Sequence, residues 1–155
     1  MIEINGMAHV ILTVTQWDKA RDFYGRLCPF LGMTKVFDGN NFFYHVGGRS
    51  ALGIQRCSED FASEQFQQNR VGLHHLCFRA RSRKDVEAAA NFVAGMGASI
   101  DRGPMEGDWA PGYYFFVFED PDGIRLEINY IPGKGVLVGK VPLSLSEDPD
   151  WNQNA

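Results

Sequence analysis

The sequence predicts an α+β fold made of two βαβββ modules, and three observations support this prediction. The segments "GMAHVILTV" (6–14) and "GLHHLCFRA" (72–80) superpose when residue 6 is aligned with residue 72. Each segment is followed by apolar residues at helical spacing, and each half of the chain closes with two apolar runs joined by a turn. Two halves with the same order of elements indicate paired modules.

The first strand of each module is expected to alternate between two faces. Its apolar side chains should lie under the helices: Val10, Leu12 and Val14 in the first module, and Leu76, Phe78 and Ala80 in the second. His9 and His75 have the opposite parity, so we expect both to face a cleft. His74 shares the parity of Leu76 and is therefore predicted to be a structural residue on the helical side.

A helix is predicted after each of these strands. Thr15 and Ser82 are the predicted N-caps, because a hydroxyl precedes each run of helical periodicity. Apolar residues then recur at i, i+3 and i+4 spacing: Ala20, Phe23, Tyr24, Leu27 and Leu31 in the first, and Val86, Ala89, Ala90, Val93 and Met96 in the second. Gly32 and Gly97 are predicted to end the helices, because glycine adopts the left-handed C-cap conformation readily.

A short strand ("MTKVF" or "ASI") and a hairpin complete each module. The chain is interpreted as a single domain, 1–155, with these parts: a first module at 5–57, a polar helical linker at 58–71, a second module at 72–131 and a C-terminal tail at 132–155. One module cannot bury a sheet face by itself. The modules are therefore expected to form a curved mixed β-sheet around a metal-containing cleft, with the helices outside.

Composition limits the classes of partner. There are 15 basic and 19 acidic residues, and no basic block stands out, which argues against nucleic acid and anionic membranes. No apolar run is long enough to span a bilayer, and the first ten residues lack the pattern of a signal peptide. The three cysteines form no CxxC pair, which argues against a disulfide framework. A cytoplasmic location is therefore expected.

A divalent-metal site is predicted from His9, His75 and Glu127. In "DPDGIRLEINY", Glu127 has the parity opposite to the apolar residues of its strand. A carboxylate within an apolar strand is costly unless it is paired or binds a cation. Two imidazoles and one carboxylate suit iron, manganese, zinc, nickel or cobalt, with positions left for substrate or water. The alternative is a hydrogen-bonded His–Glu pair in a wet cleft.

At these residues the sequence resembles the vicinal oxygen chelate superfamily, also called the glyoxalase/bleomycin-resistance/dioxygenase fold. The resemblance is carried by "AHVILTV", "DFYGRLCPFLGM", "LHHLCFRA" and "DPDGIRLEINY" and covers about residues 5–131. It implies paired βαβββ modules, often completed by a dimer. It also implies metal ligands on the first strand of each module and the last strand of the second, which match His9, His75 and Glu127.

The resemblance also implies a fourth ligand, Glu or Gln, on the last strand of the first module. Aligning Ile54 with Leu126 makes Gln55 that ligand, whereas aligning Leu52 with Leu126 puts Gly53 there and supplies none. Without a glutamate, the chain departs from typical glyoxalase I enzymes. A glutamine would be similar to the methylmalonyl-CoA epimerases, and an empty position to the extradiol dioxygenases and the fosfomycin-resistance thiol transferases.

Two neighbouring tyrosines are further candidates for catalysis. Tyr113 and Tyr114 have opposite parity, so one is expected to reach the cleft, where it could act as an acid or orient an oxygen ligand. The alternative is a half-buried aromatic strand. Residues 103–112, rich in Gly and Pro and containing Trp109, are interpreted as a mobile rim or an ordinary hairpin connection.

Polar residues elsewhere have simpler interpretations. Arg79 and Arg125 share the parity of the proposed ligands, and could hold a substrate anion or pair with surface acids. His45 is expected to have a surface role. Residues 120–123 are predicted to form a turn without a catalytic role.

Such a site predicts an enzyme that chelates two neighbouring oxygens of a small-molecule substrate. The metal would act as a Lewis acid while charge develops on those oxygens, which supports lyase or isomerase chemistry of the glyoxalase or epimerase kind. Two alternatives remain open: an extradiol-type ring-cleaving dioxygenase, and a metal-free drug-binding protein of the bleomycin-resistance kind. A homodimer is expected, because the modules leave sheet edges open.

Overall fold

The chain folds as two successive βαβββ modules in the computed structural model, which describes residues 2–4 and 6–133. The first module contains β1 (His9–Val14), α1 (Trp17–Phe30), β2 (Thr34–Asp38), β3 (Phe42–Gly47) and β4 (Ser50–Arg56). The second contains β5 (Leu76–Arg79), α2 (Arg83–Gly95), β6 (Ile100–Glu106), β7 (Tyr114–Glu119) and β8 (Arg125–Tyr130). The predicted α+β class and module order are confirmed.

Each module forms its own four-stranded mixed sheet with the same strand order. The first sheet runs β1-β4-β3-β2 and the second runs β5-β8-β7-β6. In each, the first and last strands of the module pair in parallel, and the other neighbours are antiparallel. Equivalent positions in the two sheets can therefore be compared directly through their register.

One hydrophobic cluster joins the two modules. It contains the apolar faces of both helices together with Leu12 and Val14 of β1 and Leu126 and Ile128 of β8. The alternation predicted for these strands is confirmed. A ring contact between Phe23 of α1 and Phe118 of β7, with centroids 6.4 Å apart, crosses from one module to the other.

The opposite face of each sheet is called the open face. On the first sheet it carries His9, Ile11, Ala51, Gly53, Phe42 and Tyr44, and on the second Cys77, Arg79, Arg125, Glu127, Asn129, Phe115 and Val117. The first of these sets is mostly apolar and the second mostly polar. Equivalent faces of the two modules therefore differ in chemistry.

His45 lies on the core side of β3, so the expectation of a surface role is wrong. Its side chain has no exposed surface, and neither ring nitrogen has a hydrogen-bond partner among the described residues. Phe43, two residues earlier on the same face, is equally buried and packs edge-on against the ring. Burial, and then the charge of Lys35, lower the pKa of His45.

The helix ends are set partly by neighbouring elements. Gly32 and Gly97 follow the helices with φ of 78° and 77°, as predicted. Ser82 is the N-cap of α2 and accepts a hydrogen bond from the Asp85 amide. The prediction of Thr15 as a cap is wrong, because α1 begins one residue later, with Gln16 at the N-cap position.

A carboxylate from the second module takes the place of that missing cap. Asp122, in the β7–β8 turn, accepts hydrogen bonds from the Thr15 amide at 3.0 Å, from the Thr15 hydroxyl and from the Gln16 amide at 3.2 Å. A negative charge at a helix N-terminus satisfies free amides and complements the helix dipole. This turn therefore supports α1 of the other module.

Two predictions about connecting segments are corrected. The linker at 58–71 forms only one short 3-10 turn, Glu59–Phe61, because a mostly exposed polar segment has no apolar face to stabilise a longer helix. The second strand of the second module, β6, extends to Glu106 and so takes in the start of the predicted rim. Nearly all of the tail, residues 134–155, lies outside the described residues. No helix within the described ranges is long and apolar enough to cross a membrane.

Candidate functional site

Glu127 is the centre of a hydrogen-bonded cluster on the open face of the second sheet. It lies in the middle of β8 and is only 7% exposed. Its Oε1 accepts from the Tyr113 hydroxyl and, at 3.2 Å, from Asn129 Nδ2. Asn129 Nδ2 also lies 3.0 Å from the Tyr113 oxygen. These donors stabilise a carboxylate that would otherwise be costly to bury.

His75 lies beside the second oxygen of the same carboxylate. Its Nε2 is 3.4 Å from Glu127 Oε2, and its side chain is 25% exposed. The structure therefore brings together two of the three predicted metal ligands. Oε1 of Glu127 is occupied by protein donors, whereas Oε2 faces the imidazole.

His74 contacts the ring of His75 instead of pointing away from it. The two Nδ1 atoms are 2.7 Å apart, and Gln68 Nε2 lies 2.6 Å from His74 Nε2. Strand alternation does not apply to this pair, because β5 begins at Leu76. Burial, then the neighbouring His75 and Arg125, lower the pKa of His74.

Tyr113, just before β7, and Tyr114, its first residue, have different surroundings. Tyr113 is buried in the cluster, where burial and the hydrogen bond to Glu127 raise its pKa. Tyr114 lies elsewhere: its hydroxyl donates to Glu87 Oε1 at 3.3 Å, and the Arg83 guanidinium lies 4.8 Å from its ring centre. Of the two tyrosines, only Tyr113 contacts Glu127.

The β6–β7 connection packs at the edge of this cluster. Trp109 and Ala110 lie against the apolar side chains of Tyr113, Phe115 and Val117. This is the segment interpreted from sequence as a rim, and it covers part of the open face of the second sheet.

His9 does not join His75 and Glu127 within one chain. It is exposed at the start of β1, with its ring edge-on to Tyr44 at a centroid distance of 6.3 Å. Within residues 2–4 and 6–133, no three His, Cys, Asp or Glu side chains of a single chain are placed to hold a metal ion. The two predicted histidine ligands thus lie on the open faces of different sheets.

The strand register identifies the counterpart of Glu127 in the first module. Glu127 lies opposite Cys77, two residues after His75. The residue opposite Ile11, two residues after His9, is Gly53, whereas Gln55 lies opposite Thr13. Gln55 is thus the counterpart of Asn129, and the alignment of Leu52 with Leu126 is the one that the register supports.

Gly53 leaves room for an aromatic ring at that position. A Cβ atom there would lie 2.8 Å from Cε2 of Phe42 and 3.1 Å from Cγ1 of Ile11. Any larger residue would have to displace the Phe42 ring. The first module therefore carries an aromatic ring where the second carries a carboxylate.

Arg79 and Arg125, which share the strand face of the proposed ligands, are held by neighbouring acceptors. Arg125 Nη2 lies 3.7 Å from Asp101 and 4.0 Å from Glu119. Arg79 Nη2 donates to the Ile131 carbonyl oxygen at 3.1 Å. These contacts favour the simpler interpretation, in which both pair with neighbouring groups.

Comparison with known proteins assigns the family. Residues 6–128 match the model of the Glyoxalase/Bleomycin resistance protein/Dioxygenase superfamily. The chain belongs to this superfamily. The match spans both modules, and it confirms the resemblance inferred from the sequence motifs.

Similar proteins align with most of this chain and with nearly all of their own length. The uncharacterized protein YqjT of Bacillus subtilis (strain 168) is 30% identical over 125 residues, which cover 79% of this chain and 96% of that protein. A glyoxalase-like protein from Bacillus halodurans is 27% identical, with a TM-score of 0.73 over 82% of this chain and 96% of its own. Lactoylglutathione lyase from Agrobacterium tumefaciens shares the fold at 19% identity, with a TM-score of 0.60 over 82% and 94%.

Sequence analysis of this superfamily member missed two residues of the cluster, Cys77 and Asn129. Cys77 lies opposite Glu127, and its side chain is exposed on the open face. Asn129 is buried and donates to Glu127. The available signal was spacing. Cys77 lies two residues after His75 and Asn129 lies two residues after Glu127, and residues two apart in an extended chain share a face.

Proposed function

We propose that this protein is a divalent-metal-dependent enzyme that chelates two neighbouring oxygens of a small-molecule substrate and performs lyase or isomerase chemistry. The observation that carries the proposal is the pairing of His75 with a buried Glu127 whose other oxygen is held by Tyr113 and Asn129. An imidazole and a fixed carboxylate are two ligands of the kind that a catalytic divalent ion uses.

The separation of these two ligand atoms fits a shared ion. Two atoms about 2.1 Å from a tetrahedral ion lie roughly 3.4 Å apart. His75 Nε2 and Glu127 Oε2 are 3.4 Å apart. The pair could therefore bind a cation with little rearrangement.

We propose that His9 of a second copy supplies the third ligand in a homodimer. One chain does not bring His9 to the His75–Glu127 pair. His9 lies at the end of an open face that exposes Ile11 by 45%, and an exposed apolar surface of this kind favours a partner. Packing of that face against the open face of a second copy's second sheet would complete the set.

The residues of the cluster have distinct roles in this proposal. The bound ion supplies Lewis-acid stabilisation of charge on the two chelated oxygens. Glu127 would hold the ion through Oε2, and its carboxylate could take a proton from carbon next to a carbonyl. Tyr113 would hold Oε1 of Glu127 through its one hydroxyl hydrogen, and could donate to a substrate oxygen by turning that hydrogen away from Glu127.

A ring-cleaving dioxygenase is the second candidate, and Gly53 is the observation that favours it. Gly53 supplies no ligand at the position equivalent to Glu127. The resulting set of two histidines and one carboxylate is the ligand set of many iron(II) oxygenases. A metal-free binder of small molecules is the remaining alternative.

Metal analysis of the protein purified without chelator is the deciding experiment, followed by titration with iron(II), manganese, zinc, nickel and cobalt. We expect about one ion per chain, bound more weakly after His75→Ala. A panel of methylglyoxal–thiol adducts, acyl-CoA thioesters and catechols then separates the first candidate from the second. Protein that binds none of the five ions would overturn both and favour the metal-free binder.

A further inference from the structure

The pair His74–His75 contains an interaction that the proposed function does not use. We propose that His74 is a positioning residue, which fixes the ring of His75 so that Nε2 is directed at Glu127, and that Gln68 fixes His74 in turn. The inference rests on the ligand role proposed above for His75. It concerns residues outside the predicted ligand set, one of which was interpreted from sequence as purely structural.

His75 needs a restraint that the sheet does not supply. It precedes β5, which begins at Leu76, so strand geometry does not set its side-chain direction. An imidazole has only two polar atoms, and holding one of them fixes the direction of the other. The 2.7 Å contact holds Nδ1 of His75, and Nε2 is then the atom 3.4 Å from Glu127.

The contact between the two Nδ1 atoms requires complementary tautomers. One nitrogen must carry the hydrogen and the other must present a lone pair. If Nε2 of a neutral His75 gives its lone pair to a cation, its Nδ1 carries the hydrogen and donates it to His74. Partners of this kind orient metal-binding histidines and strengthen them as ligands.

Gln68 can support the pair in this arrangement and in the reverse one. Its amide group lies beside His74, with Nε2 of Gln68 2.6 Å from Nε2 of His74. A glutamine amide offers both a donor and an acceptor, so rotation of the group matches whichever tautomer His74 adopts. The order Gln68–His74–His75–Glu127 is therefore a continuous line of polar contacts.

Two variants of the full chain test the proposal. His74→Asn keeps a hydrogen-bonding atom the same number of bonds from the backbone as Nδ1, whereas His74→Leu has a similar size and none. The first measurement is the nitrogen NMR spectrum of the His75 ring in metal-free protein. The second is titration with zinc alone. Thermal melting shows whether each variant is folded.

We expect one defined tautomer of His75 in the unmodified protein and in His74→Asn, and averaged ring signals in His74→Leu. Zinc affinity should fall at least tenfold in His74→Leu and stay within about threefold in His74→Asn. If His74→Leu does not fold, Gln68→Leu should also give averaged His75 ring signals, because His74 then loses the contact that holds its ring.

Unchanged His75 signals in the leucine variants would overturn the positioning role, and so would equal zinc affinity in His74→Leu and His74→Asn. Failure of the unmodified protein to bind zinc or any other ion counts against the proposed function instead. The ring signals of the metal-free protein still decide the positioning role in that case.

Discussion

At the scale of single residues, Glu127 shows how one carboxylate can be buried and still have an oxygen that could bind a cation. Its Oε1 accepts from Tyr113 and Asn129, and its Oε2 lies beside His75. A carboxylate with donors on one oxygen needs no large rearrangement to bind a cation with the other. Substitutions of Glu127 and Tyr113 should therefore have separable effects.

Glu127→Gln should lower metal affinity at least tenfold, which corresponds to about 1.4 kcal/mol or more. The substitution removes the charge but keeps an oxygen that can accept from Tyr113. The metal-free fold should therefore remain nearly as stable. Metal titration and thermal melting of both proteins, with and without metal, measure the two effects. Equal metal affinity would mean that Glu127 serves only the fold.

Tyr113→Phe should destabilise the protein by about 1.5 to 3 kcal/mol, because a hydrogen bond to a charged group is lost inside the cluster. It should also slow turnover, since the hydroxyl holds Oε1 of Glu127, the carboxylate of the proposed mechanism. Tyr114→Phe is the matched control: it removes a hydroxyl that contacts Glu87 at the surface. Urea unfolding of both variants gives the comparison, and similar losses would contradict a special position for Tyr113.

At the scale of elements, the β7–β8 turn supports the helix α1 of the other module. Asp122 accepts from the amides of the two residues just before α1, and Asp120 accepts from the buried Tyr24 hydroxyl at 2.7 Å. Sequence analysis placed this turn correctly but assigned it no contact with the first module. A cap that lies more than 100 residues from its helix leaves no local pattern to detect.

Asp122→Ala should lower the free energy of unfolding by about 1 to 2 kcal/mol, the usual range for loss of a helix cap. Ser82→Ala is the control within one module, because Ser82 caps α2 from the adjacent residue. Both variants can be followed by urea unfolding, with helical circular dichroism as the signal. Asp122→Ala should also loosen contacts between the modules, which amide hydrogen exchange in α1 would detect; unchanged exchange there would contradict the cap.

Asp120 should make stability depend on pH. Burial raises its pKa from 3.8 to about 6, despite hydrogen bonds that favour its charged form. Between these values the folded protein binds more protons than the unfolded chain. Stability from this group is therefore present in acid and lost as the pH rises through 6, by about 3 kcal/mol at most.

Asp120→Asn should remove this dependence. The test is urea unfolding at pH 4, 5, 6 and 7, with the difference between the two proteins taken at each value. The free energy of unfolding of the unmodified protein, relative to that of Asp120→Asn, should be largest at pH 4 and should fall by pH 7. A difference that grows with pH would show that the carboxylate is stabilised in its charged form.

At the scale of the whole molecule, the two open faces are equivalent in position and different in chemistry. The repeat and its alternation predicted the modules, the core faces and the closeness of His75 to Glu127. They could not fix the last strand of the first module. The connection between the second and third strands is longer in the second module, 107–113 against 39–41, so the offset of the first strands does not carry over to Gly53 and Gln55.

The proposed shared site predicts complementation between defective chains. His9→Ala and His75→Ala should each bind metal poorly as homodimers. A mixture that exchanges subunits should regain roughly a quarter of the sites, because half of its dimers are mixed and each mixed dimer has one intact site. Metal binding after mixing and gentle denaturant-assisted exchange measures this recovery.

The control mixture is His75→Ala with Glu127→Gln. His75 and Glu127 come from the same copy in each proposed site, so in a mixed dimer each site lacks one of them. No recovery is therefore expected. Absence of recovery in the first mixture, with exchange verified by mass-tagged chains, would contradict a site shared between copies. Sedimentation at micromolar concentration should also report a dimer.

The cap on α1 has a consequence for how the chain is made. A ribosome completes the sequence of the first module at residue 57, yet the carboxylate that accepts from the Thr15 and Gln16 amides at the start of α1 is residue 122. Domains commonly fold from the N-terminus as they emerge, at roughly 5–20 residues per second. The first module therefore spends several seconds of synthesis without the acceptor for the Thr15 and Gln16 amides and without the acceptor for the Tyr24 hydroxyl. A nascent chain stalled before residue 120 should be digested by protease within α1, and one stalled well beyond it should be protected.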